Sequence, residues 1–169
     1  MKKIYFARHG LSELNQRGLL AGRTETPLVE EGRNQAKRAG QKAKALNIDA
    51  IVSSPQSRAL ETAQIIAAEI GYPKDQVHEN NLLMERDYGA LEGKPWAPDL
   101  NMDGIADLES EDTLFERTRL ALEWIGTLPA NNILVVSHGS FGRALRTLLT
   151  EHPFHGSERL RNAEIHHWQ

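Results

Sequence analysis

Two histidines in this chain each follow a short apolar run and precede a glycine. Arg8-His9-Gly10 follows the run from Ile4 to Ala7, and Ser137-His138-Gly139 ends the run that starts at Ile133. Continuous apolar runs of this length are typical of strands buried in a parallel sheet, and parallel strands connected by right-handed crossovers end at one edge, where ligands bind. The pattern therefore predicts that His9 and His138 meet at that edge, with the Arg8 guanidinium beside them.

A second cation is predicted at the same edge by the turn from Ser53 to Arg58. Arg58 falls in the first turn of a predicted helix, where a cation is unfavourable unless an anion is bound nearby. The two imidazoles and a carboxylate such as Glu85 could also ligate Zn²⁺. However, two permanent cations repel a metal ion, whereas their planar N–H groups match the oxygens of a phosphoryl group. We therefore predict an anion pocket with no metal.

Phosphoryl transfer in such a pocket needs a nucleophile, cations over the phosphoryl oxygens and an acid for the departing alkoxide. A neutral imidazole nitrogen of His9 can be the nucleophile. His138 can stabilise the charge that develops, and Glu85 can be the acid and then the base for water. Three other carboxyl groups are alternatives to Glu85, namely Glu13, Asp87 and Glu92.

The segments that would position these groups alternate between strands and helices. Strands are predicted at Ile4 to Ala7, Ala50 to Ser53 and Ile133 to Ser137. Helices are predicted from Glu30 to Leu46, from Ser54-Pro55 as N-cap and N1 to Ile70, from a capping box at Thr113 and Glu116 to Leu128, and through Phe141 to Leu148. The alternation predicts an α/β fold, a three-layer α/β/α sandwich around a mostly parallel sheet.

The composition limits the classes of function. The chain has 169 residues, a net charge of −3 and no Cys, so we expect one domain over residues 1–169 without disulfides, thiolate metal sites or a Cys nucleophile. The acidic balance disfavours nucleic acid as a partner. No apolar run approaches the roughly 20 residues of a membrane span, and the first apolar stretch is too short for a signal peptide. A cytoplasmic location without membrane attachment is therefore expected.

The least regular stretch runs from Trp96 to Asp112 and is rich in acidic residues. We interpret it as a short surface insertion or lid at about residues 94–112, with disorder as the alternative. Tyr88 and Trp96 could line the mouth of a pocket, although aromatic residues are more often part of a core. A solvated C-terminal segment, rather than a metal site, is predicted for four further histidines, namely His152, His155, His166 and His167.

Four segments read in order closely resemble the phosphoglycerate-mutase-like branch of the histidine phosphatase superfamily. They are Arg8-His9-Gly10, Ser54 to Ala59, Leu83 to Gly93 and Ser137-His138-Gly139. The resemblance covers essentially the whole chain and implies a phosphoglycerate-mutase-like fold. It implies that His9 is phosphorylated, that Glu85 is the proton donor, and that Arg8, Arg58 and His138 hold the phosphate. It also implies phosphate contacts from Asn15, Gly22 and the Gly139 N–H, and hydrolysis without a metal or organic cofactor.

Some positions depart from the family pattern. Leu11 stands where many members have Glu, and Val29 stands where Thr or Ser usually caps a helix. The segment between Glu85 and His138 is shorter than in cofactor-dependent phosphoglycerate mutases and has no paired Arg to hold a phosphoglycerate carboxylate, while its acidic residues oppose retention of a multiply charged intermediate.

We therefore predict a histidine acid-type phosphatase that hydrolyses a small phosphorylated metabolite through a phosphohistidine. Two alternatives are kept. One is a cofactor-dependent phosphoglycerate mutase activity, and the other is a phosphoprotein-directed or regulatory module that binds a phosphoryl group. The sequence does not predict the oligomeric state.

Overall fold

The computed structural model of the chain, which describes residues 1–156 and 158–169, is organised around a five-stranded sheet. The strands are β1 Lys3–Arg8, β2 Ala50–Ser53, β3 His78–Glu79, β4 Asn132–Ser137 and β5 Ile165–His167. Their order is β3-β2-β4-β1-β5, and β5 alone runs antiparallel to its neighbour. The mostly parallel sheet is therefore confirmed.

Helices cover both faces of this sheet. They are α1 Glu13–Gln16, α2 Glu30–Ala43, α3 Ser57–Ile70, α4 Glu111–Thr127 and α5 Gly139–Thr150. Alternate residues of β1 enter different cores, because Ile4 and Phe6 pack with α4 and α5 whereas Tyr5 and Ala7 pack with α2 and α3. The three-layer α/β/α sandwich is confirmed. Within the described residues, no helix is long and apolar enough to cross a membrane.

Two helices begin at other residues than predicted. The α3 helix begins at Ser57, since Ser54 lies in the preceding turn, where its Oγ accepts the Gln56 N–H and contacts His138. The α4 helix begins at Glu111 with Ser110 as its N-cap, because Ser110 Oγ accepts the Thr113 N–H at 3.1 Å. Thr113 is therefore inside the first turn. The α2 helix begins after Val29 without a side-chain cap, as predicted.

Two short strands were not predicted. The β3 strand has two residues, and β5 pairs with β1 at the edge of the sheet, where His167 stacks on Tyr5 at 4.8 Å between ring centroids. The prediction of a solvated segment is therefore wrong for His166, which is half-buried in β5, whereas His167 is exposed. Strands of two or three residues are too short to show periodicity, so pairing with an existing strand decides whether they form.

The irregular stretch is shorter than predicted, because Asp112 already belongs to α4. Residues 92–110 form turns without a helix or strand. Backbone hydrogen bonds connect this stretch to the rest of the fold, from Trp96 N to Gly18 O, from Ala90 N to Ala106 O and from Glu109 N to Asp87 O. Whether it acts as a lid stays a prediction.

Candidate active site

The two His-Gly turns lie at the carboxyl ends of neighbouring strands. Parallel pairing of β1 with β4 places Arg8 opposite Ser137, so His9 and His138 follow side by side. Their ring centroids are 5.2 Å apart. Gly10 is required in this turn, since a Cβ there would lie 2.3 Å from the Gly32 carbonyl oxygen on α2. The predicted meeting of the two imidazoles is confirmed.

The protonation of His9 follows from one hydrogen bond. Its Nδ1 lies 2.7 Å from the Gly10 carbonyl oxygen. A carbonyl oxygen can only accept, so Nδ1 carries the proton and Nε2 keeps its lone pair. Burial lowers the pKa of His9 well below 6.5, and the positive charges of Arg58 and Arg8 lower it further. His9 is thus a neutral imidazole whose Nε2 can act as a nucleophile.

His138 is oriented by a residue that the sequence analysis assigned to a helix cap. Its Nε2 lies 2.8 Å from Ser54 Oγ, which already accepts the Gln56 N–H. The Ser54 hydroxyl can donate its hydrogen to Nε2, and in that tautomer the imidazole proton lies on Nδ1. Burial and the neighbouring Arg58 lower the pKa of His138 well below 6.5. Its Nδ1 is buried and has no hydrogen-bond partner in the structure.

The guanidinium groups of Arg8 and Arg58 are buried, with 7% and 1% of each residue exposed. Arg58 donates to three carbonyl oxygens in residues 21–24, and Arg8 Nη1 donates to Leu160 O at 3.0 Å. Among the ion pairs of the described residues, neither has a carboxylate within 4 Å. Burial lowers the pKa of Arg8 to about 10, so it stays charged at neutral pH. The Nε atoms of both are buried without a partner.

Three buried donors thus lack an acceptor at one site, namely Arg8 Nε, Arg58 Nε and His138 Nδ1. An unpaired buried donor costs about 1–3 kcal/mol, and more when it is charged. The two arginines and the neutral imidazole are therefore arranged for an anion. In the part of the chain that the structure describes, no group of three or more His, Asp or Glu side chains is placed to hold a metal.

Glu85 is the carboxyl group that lies next to these donors. Its oxygens accept hydrogen bonds from Ser140 N at 3.0 Å, Phe141 N at 3.1 Å and Arg86 N at 2.8 Å. The first two donors are in the first turn of α5, so the start of that helix fixes the carboxyl group. A Cβ built on Gly139 would lie 3.6 Å from Arg8 Nε and 3.8 Å from Glu85 Oε2. Gly139 therefore keeps the space between them open.

Two of the three alternative carboxyl groups have other partners, and the third is exposed. Glu92 accepts the N–H groups of Gly22, Arg23 and Thr24, while Asp87 accepts the Gly89 N–H and Glu13 is exposed on α1. Glu85 is the only one of these four carboxyl residues that lines the cavity over His9.

The remaining predicted phosphate contacts divide into two groups. Asn15 lines the cavity beside Arg8, and Gly139 lines it at the start of α5. Gly22 does not, because its N–H donates to Glu92 Oε2 at 2.7 Å and its carbonyl oxygen accepts from Arg58 and Gln56. Gly22 therefore holds Arg58 in place, and its N–H is not available to a phosphate.

Sequence reasoning missed the network below Glu85. Arg117 on α4 donates to the carbonyl oxygens of Leu82 and Met84, and its guanidinium pairs with Glu109 at 2.9 Å. Burial alone would raise the pKa of Glu109, but the Arg117 hydrogen bonds lower it overall. Glu109 belongs to the predicted acidic stretch. By pairing with Arg117, it fixes the side chain that holds the backbone just before Glu85. No local pattern links Glu109 to Arg117, because the fold brings them together.

The cavity over His9 has a volume of about 790 Å³ and opens to the solvent. Arg8 and Glu85 also line it, whereas Arg58 and His138 do not. Tyr88 and Trp96 line it, as considered above, together with Met102, Arg143 and Arg159. The Tyr88 hydroxyl lies 2.6 Å from Ser140 Oγ, and burial with the nearby Glu85 raises the pKa of Tyr88 to about 12. The site thus has a deep part of buried cations and imidazoles and a wider mouth.

Comparisons with known proteins agree with this geometry. A phosphatase of Bacillus subtilis, "Uncharacterized phosphatase PhoE", is 33% identical over 155 residues, which cover 89% of this chain and 77% of that protein. The 2,3-bisphosphoglycerate-dependent phosphoglycerate mutase of Parvibaculum lavamentivorans is 42% identical over 92 residues, 53% of this chain. The matched region is less than half, 44%, of that mutase.

A solved structure of the open reading frame Rv3214 from Mycobacterium tuberculosis is 31% identical and superimposes with a TM-score of 0.80, covering 97% of this chain and 89% of that one. The sequence model of a family described as "Histidine phosphatase superfamily (branch 1)" matches residues 4–168, nearly the whole chain. Sequence, fold and the paired His-Gly turns thus agree that this chain belongs to the histidine phosphatase superfamily, branch 1.

Proposed function

We propose that this chain hydrolyses phosphomonoesters of small metabolites through a phosphohistidine formed at His9 Nε2. One observation carries the proposal: three buried atoms, Arg8 Nε, Arg58 Nε and His138 Nδ1, have no partner, and their residues lie close to the His9 imidazole, whose Nδ1 is held by the Gly10 carbonyl. Three donors around one nucleophile match the three equatorial oxygens of a phosphoryl group in transfer. Relatives named as phosphatases support the same assignment.

The proposed reaction has two steps. His9 Nε2 attacks phosphorus, the phosphorus–oxygen ester bond breaks, and the leaving alkoxide takes a proton from Glu85. Water then gives a proton to the Glu85 carboxylate and attacks phosphorus, so the nitrogen–phosphorus bond breaks and inorganic phosphate leaves. His9 returns to its neutral form, and the Gly10 carbonyl holds its Nδ1 proton throughout.

The lowered pKa of His9 supports the acid-type assignment. An exposed imidazole takes up a proton below about pH 6.5 and loses its lone pair. His9 stays neutral below that pH because it is buried beside two cations. Activity of the free enzyme should therefore persist into mildly acidic solution.

Hydrolysis is preferred to the mutase reaction, but no longer because of the acidic residues and the absence of paired arginines. The acidic stretch is partly neutralised, since Glu109 pairs with Arg117. Two arginines, Arg143 and Arg159, also reach the mouth from beyond His138. The preference rests on the open cavity, through which water can reach Glu85.

Trapping the phosphoenzyme tests the proposal. Acid-labile, base-stable phosphate should appear on the wild-type protein during turnover of p-nitrophenyl phosphate with EDTA present, and His9→Gln should remove both the phosphate and the activity. The matched control is His78→Gln, because His78 is exposed on β3 and far along the sheet order from β1.

Three results would contradict the proposal. Strict dependence on a divalent metal would exclude the mechanism, and phosphate binding without turnover would support a regulatory module. Interconversion of phosphoglycerates that a bisphosphorylated primer stimulates above the rate of hydrolysis would support the mutase.

A further inference from the structure

The proton donor of the proposed reaction lies in a segment without regular structure. Residues 84–88 belong to no helix or strand, whereas His9, Arg58 and His138 lie at the end of a strand or in the first turn of a helix. A displacement of about 1 Å between reacting groups can lower a rate about 100-fold, and an irregular backbone does not provide such precision by itself. Other groups must therefore fix the position of Glu85.

Side chains occupy the backbone carbonyl groups around Glu85. Arg117 Nη1 donates to Leu82 O at 2.8 Å and to Met84 O at 2.7 Å. Its Nη2 donates to Glu85 O at 3.4 Å. Arg23 Nε donates to the same Glu85 oxygen at 2.8 Å. Two guanidinium groups thus hold this segment in the place of a helix or strand.

Glu109 extends this support to the other side of Glu85. Its carboxylate oxygens accept from Arg117 Nε at 2.9 Å and Nη2 at 3.0 Å, and the side chains of Arg117 and Glu109 are 12% and 8% exposed. Glu109 Oε2 also accepts the Asp87 N–H at 3.0 Å, and the Glu109 N–H donates to Asp87 O at 2.8 Å. The buried pair therefore holds the backbone before and after Glu85.

Arg117 also contacts a residue that holds the Glu85 side chain. Arg117 Cζ lies 5.9 Å from the Phe141 ring centroid, and the Phe141 N–H donates to Glu85 Oε1 at 3.1 Å. Removing one partner of a buried ion pair leaves the other charged and unpaired, so the remaining side chain has to move. Movement of Arg117 would reach Glu85 through its main chain and through Phe141.

We propose that Glu109 and Arg117 are positioning residues for proton transfer by Glu85. The inference rests on the proposed function, in which Glu85 protonates the leaving group. Neither Glu109 nor Arg117 lines the cavity over His9. Five hydrogen bonds also use the five N–H donors of the Arg117 guanidinium. The pair therefore acts on a substrate only through Glu85.

Two esters distinguish this role from general support of the fold. Propyl phosphate has a leaving group that needs a proton, and p-nitrophenyl phosphate has one that does not. Arg117→Lys and Glu109→Gln should each lower kcat/KM for propyl phosphate about tenfold or more and leave that for p-nitrophenyl phosphate within about threefold. The ratio of the two values does not depend on the folded fraction, because unfolded protein lowers both equally.

A double-mutant cycle connects the effect to Glu85. In the Glu85→Gln background there is no acid to position, so adding Glu109→Gln should change kcat/KM for propyl phosphate less than about twofold. The matched controls are Glu116→Gln and Arg119→Lys, because Glu116 and Arg119 form an exposed pair at 3.5 Å on the same helix as Arg117. These two variants should change kcat/KM for neither ester.

Arg23→Gln tests the inference if neither variant of the buried pair folds. It removes the 2.8 Å hydrogen bond to Glu85 O from a partly exposed side chain and leaves the pair of Glu109 and Arg117 intact. We expect kcat/KM for propyl phosphate to fall about threefold and that for p-nitrophenyl phosphate to stay the same. An equal effect on both esters would contradict the inference.

The remaining outcomes separate the inference from the proposed function. Equal losses for the two esters, or a full additional loss in the Glu85→Gln background, would overturn the inference while hydrolysis stands. If the wild type hydrolyses neither ester, the proposed function fails, and amide hydrogen exchange tests the positioning of the Glu85 side chain alone. The Ser140 and Phe141 N–H groups, which donate to Glu85, should exchange about tenfold faster in Arg117→Lys and at the wild-type rate in Arg119→Lys. Wild-type exchange in both variants would overturn the inference.

Discussion

The deep part and the mouth of the cavity are built in different ways. Arg8 and His9 line the deep part, and Arg58 and His138 lie close to His9 behind them; all four are buried at strand ends or in the first turn of a helix. The mouth has side chains such as Trp96 and Arg159 from segments without regular structure, and these are exposed. The deep groups have little conformational freedom, because β1, β4, α3 and α5 position them. In the mouth, Arg159 is held by its contact with the Trp96 ring.

This difference distinguishes residues that take part in the reaction from residues that recognise the rest of the substrate. A group that must lie within a few tenths of an ångström of phosphorus needs a buried support, and desolvation also makes its interaction with charge stronger. A group that only has to recognise the rest of a substrate can lie on a loop, where a change of residue costs the fold little. Substitutions in the deep part should therefore affect every ester, and those in the mouth should affect only some.

The largest effect that depends on the leaving group is expected for Glu85→Gln. The amide keeps the shape, but its NH2 group cannot accept the backbone N–H groups that one of the two carboxylate oxygens accepts, and it has no acidic proton to give. We expect kcat for an alkyl phosphate to fall about 10²- to 10⁴-fold, and much less for p-nitrophenyl phosphate, whose leaving group needs no acid. Rates of the two esters, measured side by side, check this.

Glu13→Gln is the control for that experiment, since Glu13 is an exposed carboxyl of α1. A loss of equal size for both esters would show that Glu85 supports the fold of the site and does not transfer a proton.

A somewhat smaller loss, the same for every ester, is expected for Arg58→Lys. An ammonium group keeps the charge but cannot reach the carbonyl oxygens of Ala21 and Thr24 while it also donates to a phosphoryl oxygen. Losing one such donor should cost about 3 kcal/mol of transition-state stabilisation, a hundredfold or more in kcat/KM. A loss restricted to larger esters would place Arg58 among the selecting residues instead. The control for the exchange is Arg33→Lys, at a half-buried arginine of α2 that pairs with Glu61.

The same contrast explains what could be predicted from the sequence. Apolar runs buried on both faces identify β1, β2 and β4, and the carboxyl ends of parallel strands then place His9 and His138 together without any contact being known. The deep site was therefore predictable because its groups follow the elements that position them within one or two residues.

The mouth and the supports were less predictable because distant segments build them. Ser54 could be assigned to a helix cap or to a hydrogen bond with His138, and only the fold distinguishes these roles. Glu109 looked like one of several acidic surface residues until α4 brought Arg117 against it. Arg143 had a signal, since it lies one turn into the helix that starts at the site. Arg159 had no such signal, because its position depends on the path of the irregular segment between α5 and β5.

Protonation of the deep histidines should make stability depend on pH. The pKa values of His9 and His138 are well below 6.5 in the folded protein and near 6.5 in the unfolded chain. The unfolded chain therefore binds more protons as the pH falls below about 6.5. The stabilisation is complete above that pH and decreases below it, by about 1.4 kcal/mol per pH unit for each histidine.

Urea unfolding of wild type and His138→Gln between pH 7.5 and 5 measures this slope. Carboxyl groups contribute equally to both proteins, so the difference between the two slopes isolates one histidine. Parallel slopes would mean that His138 takes up its proton in the folded protein, and the neutral deep site would then be wrong.

The smallest effect should come from the mouth, with Trp96→Ala. Removal of the ring takes away its contact with Arg159, which is worth about 0.5–1 kcal/mol at an exposed site. KM for an ester whose leaving group is large enough to reach Arg159 should rise about two- to fivefold with kcat unchanged, because Arg159 loses its orientation while Glu85 and His9 keep theirs. Leu120→Ala, at an exposed position of α4 outside the cavity, should change neither constant. A fall in kcat would show instead that the mouth positions the reacting groups, and the separation between chemistry and selection would not hold.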